Sequence, residues 1–232
     1  MTDSPQQTLW IARHGNREDF VDPSWISTAG HPFNPALSED GIQQAKDLAQ
    51  RLAQEDIAHI FTSPFLRTVQ TADFVADKLN LPLKLETGLS EWLTLYWICV
   101  NPDLLPKATL KKQFPAIDTS YQPLVPANYP ETTRMIRQRL RDTLNALLER
   151  YSENLLLVTH SSAIVYMTKY LAPDAPSFKC PVCGVVKLTR RGQTWTVERA
   201  GDTSHLSQPI DPLTLSKSLW RKFYMFQRLL LK

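Results

Sequence analysis

The chain has 232 residues, 43% of them hydrophobic and 21% charged, with 26 Lys and Arg against 23 Asp and Glu. That composition is too apolar and too evenly charged for disorder, and three cysteines cannot build a secreted disulfide framework. No run approaches the roughly 18 apolar residues of a membrane span, and the N-terminal MTDSPQQ lacks the basic and apolar regions of a signal peptide. The expectation is a cytoplasmic globular protein. Its net charge of +3 is unevenly placed: Thr214 to Lys232 holds Lys217, Arg221, Lys222, Arg228 and Lys232 and no acid, which leaves 21 basic against 23 acidic residues, or −2, for everything before.

In chain order, the apolar run Thr8 to His14 reads as a buried strand closed by Gly15. Residues 16–36, with Pro23, Pro32 and Pro35 and no helical period, read as a long loop. Ser38 is a candidate cap for a helix to about Gln54, with Ile42, Ala45, Leu48, Ala49 and Leu52 on its apolar face. Ile57 to Thr62 is a second strand, and Ser63-Pro64 predicts an N-cap with proline in the first helical position, opening a helix to about Leu79. Leu81 to Glu86 is a third strand. Six of the seventeen prolines then fall between Pro102 and Pro130, with one short helix around Leu104 to Phe114. Residues 92–130 therefore read as a cap inserted within a domain. Thr132 to Tyr151 is a long helix, Asn154 to Thr159 an apolar strand, and Ser161 the cap of a helix to about Leu171. Val185 to Thr189 and Trp195 to Arg199, joined around Arg191-Gly192, predict a hairpin. Strands alternating with helices imply an α/β fold, a three-layer sandwich with a mostly parallel central sheet flanked by helices.

In open α/β sheets ligands sit beyond the carboxyl ends of the strands. Here the first strand ends in Arg13-His14-Gly15 and the Leu155 to Thr159 strand in His160-Ser161-Ser162, while Arg67 stands near a helix start after the second strand. One histidine at a strand end is usually a hydrogen-bonded structural residue. Two of them, with two guanidiniums, outline a crevice suited to a phosphate dianion, because guanidinium forks match phosphate oxygens. An imidazole nitrogen can also attack phosphorus.

Arg13-His14-Gly15, Leu37-Ser38-x-x-Gly41-x-x-Gln44-Ala45, Ser63-Pro64-x-x-Arg67-x-x-Gln70-Thr71-Ala72, Thr159-His160 and Asp202-Thr203-Ser204-His205-Leu206 together resemble the histidine phosphatase superfamily, with its phosphoglycerate mutase-like fold, over about residues 8–206. The resemblance implies that His14 is the nucleophile that becomes phosphohistidine and that Arg13, Arg67 and His160 form the phosphate pocket. It implies Glu91, in Leu89-Ser90-Glu91-Trp92, as the acid that protonates the leaving oxygen, with Ser161 and His205 supporting the pocket from behind. Without the resemblance, Glu91 reads as a solvated loop acid. Arg17, Asp19, Trp25, Glu91-Trp92, Asp118-x-x-Tyr121-x-Pro123, Glu131 and His160-Ser161-Ser162-Ala163 are similar to the phosphatase domain of the ubiquitin-associated and SH3 domain-containing proteins. That group usually has Glu after Arg-His-Gly, where this chain has Asn16. Arg17 is then a further phosphate contact. With 232 residues leaving no room for the partner domains, the expectation is a free-standing relative.

The resemblance implies hydrolysis of a small-molecule or protein phosphomonoester with no metal and no cofactor. A mutase, or a catalytically silent phospholigand-binding or membrane-docking scaffold, is the alternative. Trp92, Tyr96, Trp97 and Tyr121 are candidate walls of the substrate entrance. Cys180-Pro-Val-Cys183 has zinc-knuckle spacing but no second pair, so it reads as structural. His31 and His59 read as surface or loop residues. Nucleic-acid binding is not expected of an acidic body. The domain is assigned to residues 1–206 and the basic, apolar tail to 207–232. Leu215, Leu219, Phe223, Phe226 and Leu230 at helical spacing suit packing, a homodimer contact or a membrane surface.

Overall fold

A computed structural model describes residues 7–22, 24–95 and 101–210. The basic stretch from Thr214 onward, together with Tyr96, Trp97 and Cys99, lies outside the described residues.

The elements run β1 (Gln7–Arg13), α1 (Glu18–Val21), α2 (Trp25–Thr28), α3 (Glu39–Leu52), β2 (His59–Thr62), α4 (Leu66–Leu79), β3 (Leu83–Leu85), a 3₁₀ turn (Thr87–Leu89), α5 (Lys107–Gln113), α6 (Thr133–Arg150), β4 (Leu155–Thr159), α7 (Ser161–Leu171), β5 (Val185–Arg191) and β6 (Thr194–Asp202). Six strands form one sheet in the order β3-β2-β4-β1-β5-β6. The first four are mutually parallel, and β5 and β6 are the antiparallel hairpin. This is the expected three-layer, mostly parallel architecture.

The sheet is apolar on both faces because helices cover both. Along β1, Trp10 and Ala12 join one core with Leu48, Leu52, Val69 and Val75 of α3 and α4. Leu9 and Ile11 point the other way, into a core with Ile136, Leu140, Leu144, Ile164 and Met167 of α6 and α7. That alternation is the period of a strand.

Several local expectations are corrected. The 16–36 segment contains two one-turn helices, α1 and α2. Helix α4 starts at Leu66 with Phe65 in the cap position, so Ser63-Pro64 precedes it. The Ser63 hydroxyl lies 2.9 Å from His160 Nε2 and accepts the Phe65 N–H at 3.4 Å. Ser38 does occupy the cap position of α3, but its hydroxyl donates to Asp40 Oδ1 at 2.6 Å instead of accepting a backbone N–H. At α7 the cap position belongs to His160, and Ser161 is the first helical residue. His59 is not a loop residue: it opens β2, with its ring 4.6 Å from that of Tyr151.

Strand β3 is short because Pro82 offers no N–H to a ladder. Its open edge is covered by the segment after α5, with the Leu83 N–H donating to Ala116 O and the Asp118 N–H to Leu83 O. With so many prolines, residues 101–130 are held largely by side chains. Buried Glu86 accepts the Tyr121 hydroxyl at 2.6 Å and the N–H groups of Leu124 and Val125 at 2.8 and 3.3 Å. Lys107 Nζ donates to Tyr121 O at 2.6 Å.

The loop after β1 is pressed against α3. A methyl group on Gly41 would stand 2.1 Å from the Asn16 carbonyl oxygen, and one on Gly15 2.6 Å from the Gly41 carbonyl. Gly41→Ala should therefore lower the unfolding free energy by about 2 kcal/mol, since backbone cannot yield as a flexible side chain would. Chemical denaturation checks this; a change below about 0.5 kcal/mol would contradict that close approach.

Candidate active site

The site follows from strand pairing. Arg13 at the end of β1 is in register with Thr159 at the end of β4, so the residues that follow, His14 and His160, emerge side by side. Their ring centroids are 5.3 Å apart, and both side chains are buried.

His14 is 1% exposed, and its Nδ1 lies 2.7 Å from the Gly15 carbonyl oxygen. A carbonyl only accepts, so Nδ1 carries the ring proton and Nε2 keeps its lone pair. Burial, then the positive charges of Arg67, Arg13 and Arg17, hold the His14 pKa well below the ordinary value of 6.5. The ring is therefore neutral at physiological pH, in the state that attacks an electrophile.

His160 is also held neutral, by burial first and then by Arg67, His14, Arg17 and Arg13. Its Nδ1 meets Arg67 Nη2 at 3.3 Å and Glu91 Oε2 at 3.4 Å. Nδ1 thus stands between a donor, Arg67, and an acceptor, Glu91, while Nε2 faces the Ser63 hydroxyl at 2.9 Å.

Each arginine is held by a different device. Arg67 is buried on α4, with its guanidinium 4.6 Å from the Phe65 ring centroid and Nη2 3.5 Å from Glu91 Oε2. Arg17 Nε and Nη2 donate to the two carboxylate oxygens of Asp19 at 2.8 and 2.6 Å. That fork uses two of its five N–H donors and sets the plane of the others. Arg13 Nη1 donates to the Cys180 carbonyl at 3.0 Å.

The cysteine loop thus has a structural task. Gly184 O accepts the Arg13 N–H at 3.0 Å, and the Cys183 N–H donates to His14 O at 3.1 Å. Both thiols are free and buried, and burial pushes Cys180 up to about 12 and raises Cys183 as well, which makes them poor nucleophiles. Among the described residues, no group of three or more His, Cys, Asp or Glu side chains is arranged to hold a metal ion.

Glu91 follows the 3₁₀ turn after β3 with its side chain 21% exposed. Its Oε1 accepts the Trp92 N–H at 3.0 Å, and its Oε2 faces Arg67 and His160. Five of the eight expected site residues, His14, Arg67, His160, Glu91 and Arg13, are therefore linked by contacts or by the shared field around the two imidazoles, and Arg17 adds to that field. Ser161 only follows His160 on α7. His205 stands among Asp202, Cys183, Arg51 and Asp47, so its link to the site runs through Cys183.

Asn16 has a local explanation. Its side-chain amide donates to Asp40 Oδ2 at 2.7 Å, and its backbone N–H to Gln44 Oε1 at 2.9 Å. A glutamate there would set a second carboxylate against Asp40.

The expected aromatic walls are corrected too. Tyr121 is buried, edge-on to Phe61 at 5.6 Å, and Trp92 packs in the α6/α7 core with Nε1 donating to Glu131 O. The apolar surface beside the site is built instead from Phe65 and Leu93 with Phe33, Leu104, Ala127 and Tyr129. Phe65 meets the His160 ring edge-on at 5.2 Å. These residues come from four separate segments, around 33, 65, 93–104 and 127–129, so no sequence window displays them together.

The profile of the histidine phosphatase superfamily, branch 1, matches residues 9–203. The chain belongs to that superfamily. It is 28% identical over 233 residues to the ecdysteroid-phosphate phosphatase of Drosophila melanogaster, covering 81% of this chain and 31% of that protein. It is 32% identical over 168 residues to the transcription factor tau 55 kDa subunit of Saccharomyces cerevisiae, covering 67% of this chain and 39% of that protein. The chain thus spans between 31% and 39% of the length of these two relatives. Further superfamily relatives include probable phosphoglycerate mutases. Among solved structures, the ecdysone phosphate phosphatase from Bombyx mori with tungstate has the same fold, with a TM-score of 0.70 at 21% identity, covering 88% of this chain and 95% of that one.

The two neutral imidazoles couple stability to pH. Unfolded, they take up protons near pH 6.5; folded, they resist until much lower pH. Their contribution is therefore complete above about pH 6.5 and is lost as pH falls below it, by up to about 1.4 kcal/mol per pH unit for each ring. His160→Gln should show a shallower fall in unfolding free energy between about pH 6.5 and 5. An unchanged slope would mean that this ring is charged in the fold.

Proposed function

We propose that this chain hydrolyses phosphomonoesters without a metal ion, through a phosphohistidine on His14. The observation that carries the reading is the His14 tautomer: Nδ1 is committed to the Gly15 carbonyl, leaving an unprotonated Nε2 in the field of Arg13, Arg17 and Arg67.

In the first step Nε2 attacks phosphorus and the P–O ester bond breaks. The Glu91 carboxyl gives its proton to the leaving oxygen, which would otherwise depart as an alkoxide. The arginines and His160 hold the three phosphoryl oxygens as charge spreads over them. In the second step water attacks phosphorus, Glu91 takes the water proton, the N–P bond breaks and inorganic phosphate leaves. Residues 1–206 form the catalytic domain in this reading, with 92–130 as its cap.

The apolar group around Phe65 and Leu93 supports a substrate whose alcohol is itself apolar. Likeness to an ecdysteroid-phosphate phosphatase points in the same direction. The probable phosphoglycerate mutases among the relatives favour a second reading, phosphoryl transfer between hydroxyls of one sugar acid. A silent scaffold is disfavoured because the sequence keeps both candidates, His14 for the nucleophile and Glu91 for the acid.

Phosphate release from aryl and alkyl phosphates should proceed unchanged in EDTA and fall about 1,000-fold or more in His14→Ala. Acid-labile, alkali-stable label should accumulate on the wild-type chain after a rapid quench. Release that survives in His14→Ala, or that EDTA abolishes, overturns the mechanism. Interconversion of phosphoglycerates without phosphate release would establish the mutase.

A further inference from the structure

Glu91 lies two residues past the 3₁₀ turn, outside any helix or strand, yet every backbone carbonyl from 88 to 91 is held. Arg139 Nη1 donates to Gly88 O at 2.6 Å and to Ser90 O at 3.1 Å, and its Nη2 donates to Glu91 O at 3.1 Å. The remaining carbonyl, Leu89 O, accepts the Thr159 hydroxyl at 2.6 Å. Thus four successive carbonyls, 88 to 91, are held by two side chains.

Arg139 is itself anchored. It is 5% exposed on α6, and it grips Glu131 through Nε–Oε1 at 2.5 Å and Nη2–Oε2 at 2.7 Å. Those two bonds and the three to carbonyls account for all five guanidinium N–H donors. Glu131 closes the frame: its Oε2 accepts the Leu93 N–H at 3.2 Å, and its own N–H donates to Leu93 O at 2.8 Å. The segment carrying Glu91 is gripped before, at and after that residue.

We propose that Arg139, locked by Glu131, is the positioning residue of the proton donor, setting where Glu91 stands relative to Arg67 and His160. This rests on the reading of Glu91 as that donor. A buried ion pair is weak evidence of stabilisation, since desolvation offsets much of its attraction. This pair has a geometric use: a planar fork can hold carbonyls on several sides at once. A lysine ammonium, a point charge with three donors, could keep the charge and not the frame. Displacement of a proton donor by even one ångström costs rate steeply where proton transfer matters.

Leaving-group dependence tests the role, because a phenolate with electron-withdrawing substituents departs without a proton and an alkoxide does not. Arg139→Lys should lower kcat/KM for an alkyl phosphate about 100-fold and for p-nitrophenyl phosphate less than about fivefold. Glu131→Gln should show the same split more weakly. In a Glu91→Gln background, Arg139→Lys should add little to the alkyl phosphate defect, because the group it positions is gone. If Glu91→Gln itself slows both esters equally, the reading of Glu91 fails. If Glu91→Gln splits them and Arg139→Lys slows both alike, with cooperative unfolding retained, the positioning role is overturned. Should Arg139→Lys not fold, Glu131→Gln and Thr159→Val, which releases only Leu89 O, give the same comparison; equal slowing of both esters in each also overturns it.

Discussion

The register between β1 and β4 is the constraint on which the site depends. Both strands are apolar on both faces, so their side chains say little about which residue pairs with which. The polar ends decide. Asn154 Oδ1 accepts the Thr8 N–H at 2.6 Å, and Gln7 Nε2 donates to the Tyr151 and Glu153 carbonyls. At the far end, the His14 N–H donates to Thr159 O at 3.1 Å. With both ends tied, the two histidines come level. A slip of one residue would move one ring to the opposite face of the sheet.

Electrostatics follow from that placement. Two imidazoles buried among three guanidiniums stay uncharged, so the positive potential of the site comes from residues that do not titrate at ordinary pH. The local charge is only partly cancelled, by Asp19 on Arg17 and Glu91 near Arg67. The whole-chain charge carries no such information: the excess base lies after Thr214, outside the described residues, while the site gathers its cations in a body of net −2. No described helix is long and apolar enough to cross a membrane.

Irregular segments around the site are ordered by side chains that satisfy backbone groups. Glu86 holds the Tyr121–Val125 stretch, Arg139 and Thr159 hold the Glu91 segment, and Gln44 and Asp40 hold the turn after His14. All but the exposed Asp40 are buried polar groups with partners, as burial requires. The arrangement lets chemistry-bearing residues sit on loops yet stand at defined positions.

Much of this was legible in the sequence. Apolar runs and helical periods located every strand and the four long helices, because burial on both faces of a sheet dictates composition. The strand-end motifs also pointed to His14, His160 and Arg67, and the family resemblance added Glu91. What periodicity does not encode is the partner of each polar group. Ser63 looks like a helix cap locally, but it faces His160, 97 residues away. Tyr121 and Trp92 look like entrance walls, but they pack inside the domain, while Phe33, Phe65, Leu93, Leu104 and Tyr129 gather beside the site from four segments. Arg139 looks like one more base on a helix and proves to hold three carbonyls about fifty residues earlier in the chain. The sequence by itself determined the layers and the family and put forward the candidate site residues, because these follow from residue type and order. Only the tertiary structure decided which groups meet, because those bonds join distant segments through strand registers that apolar side chains leave open.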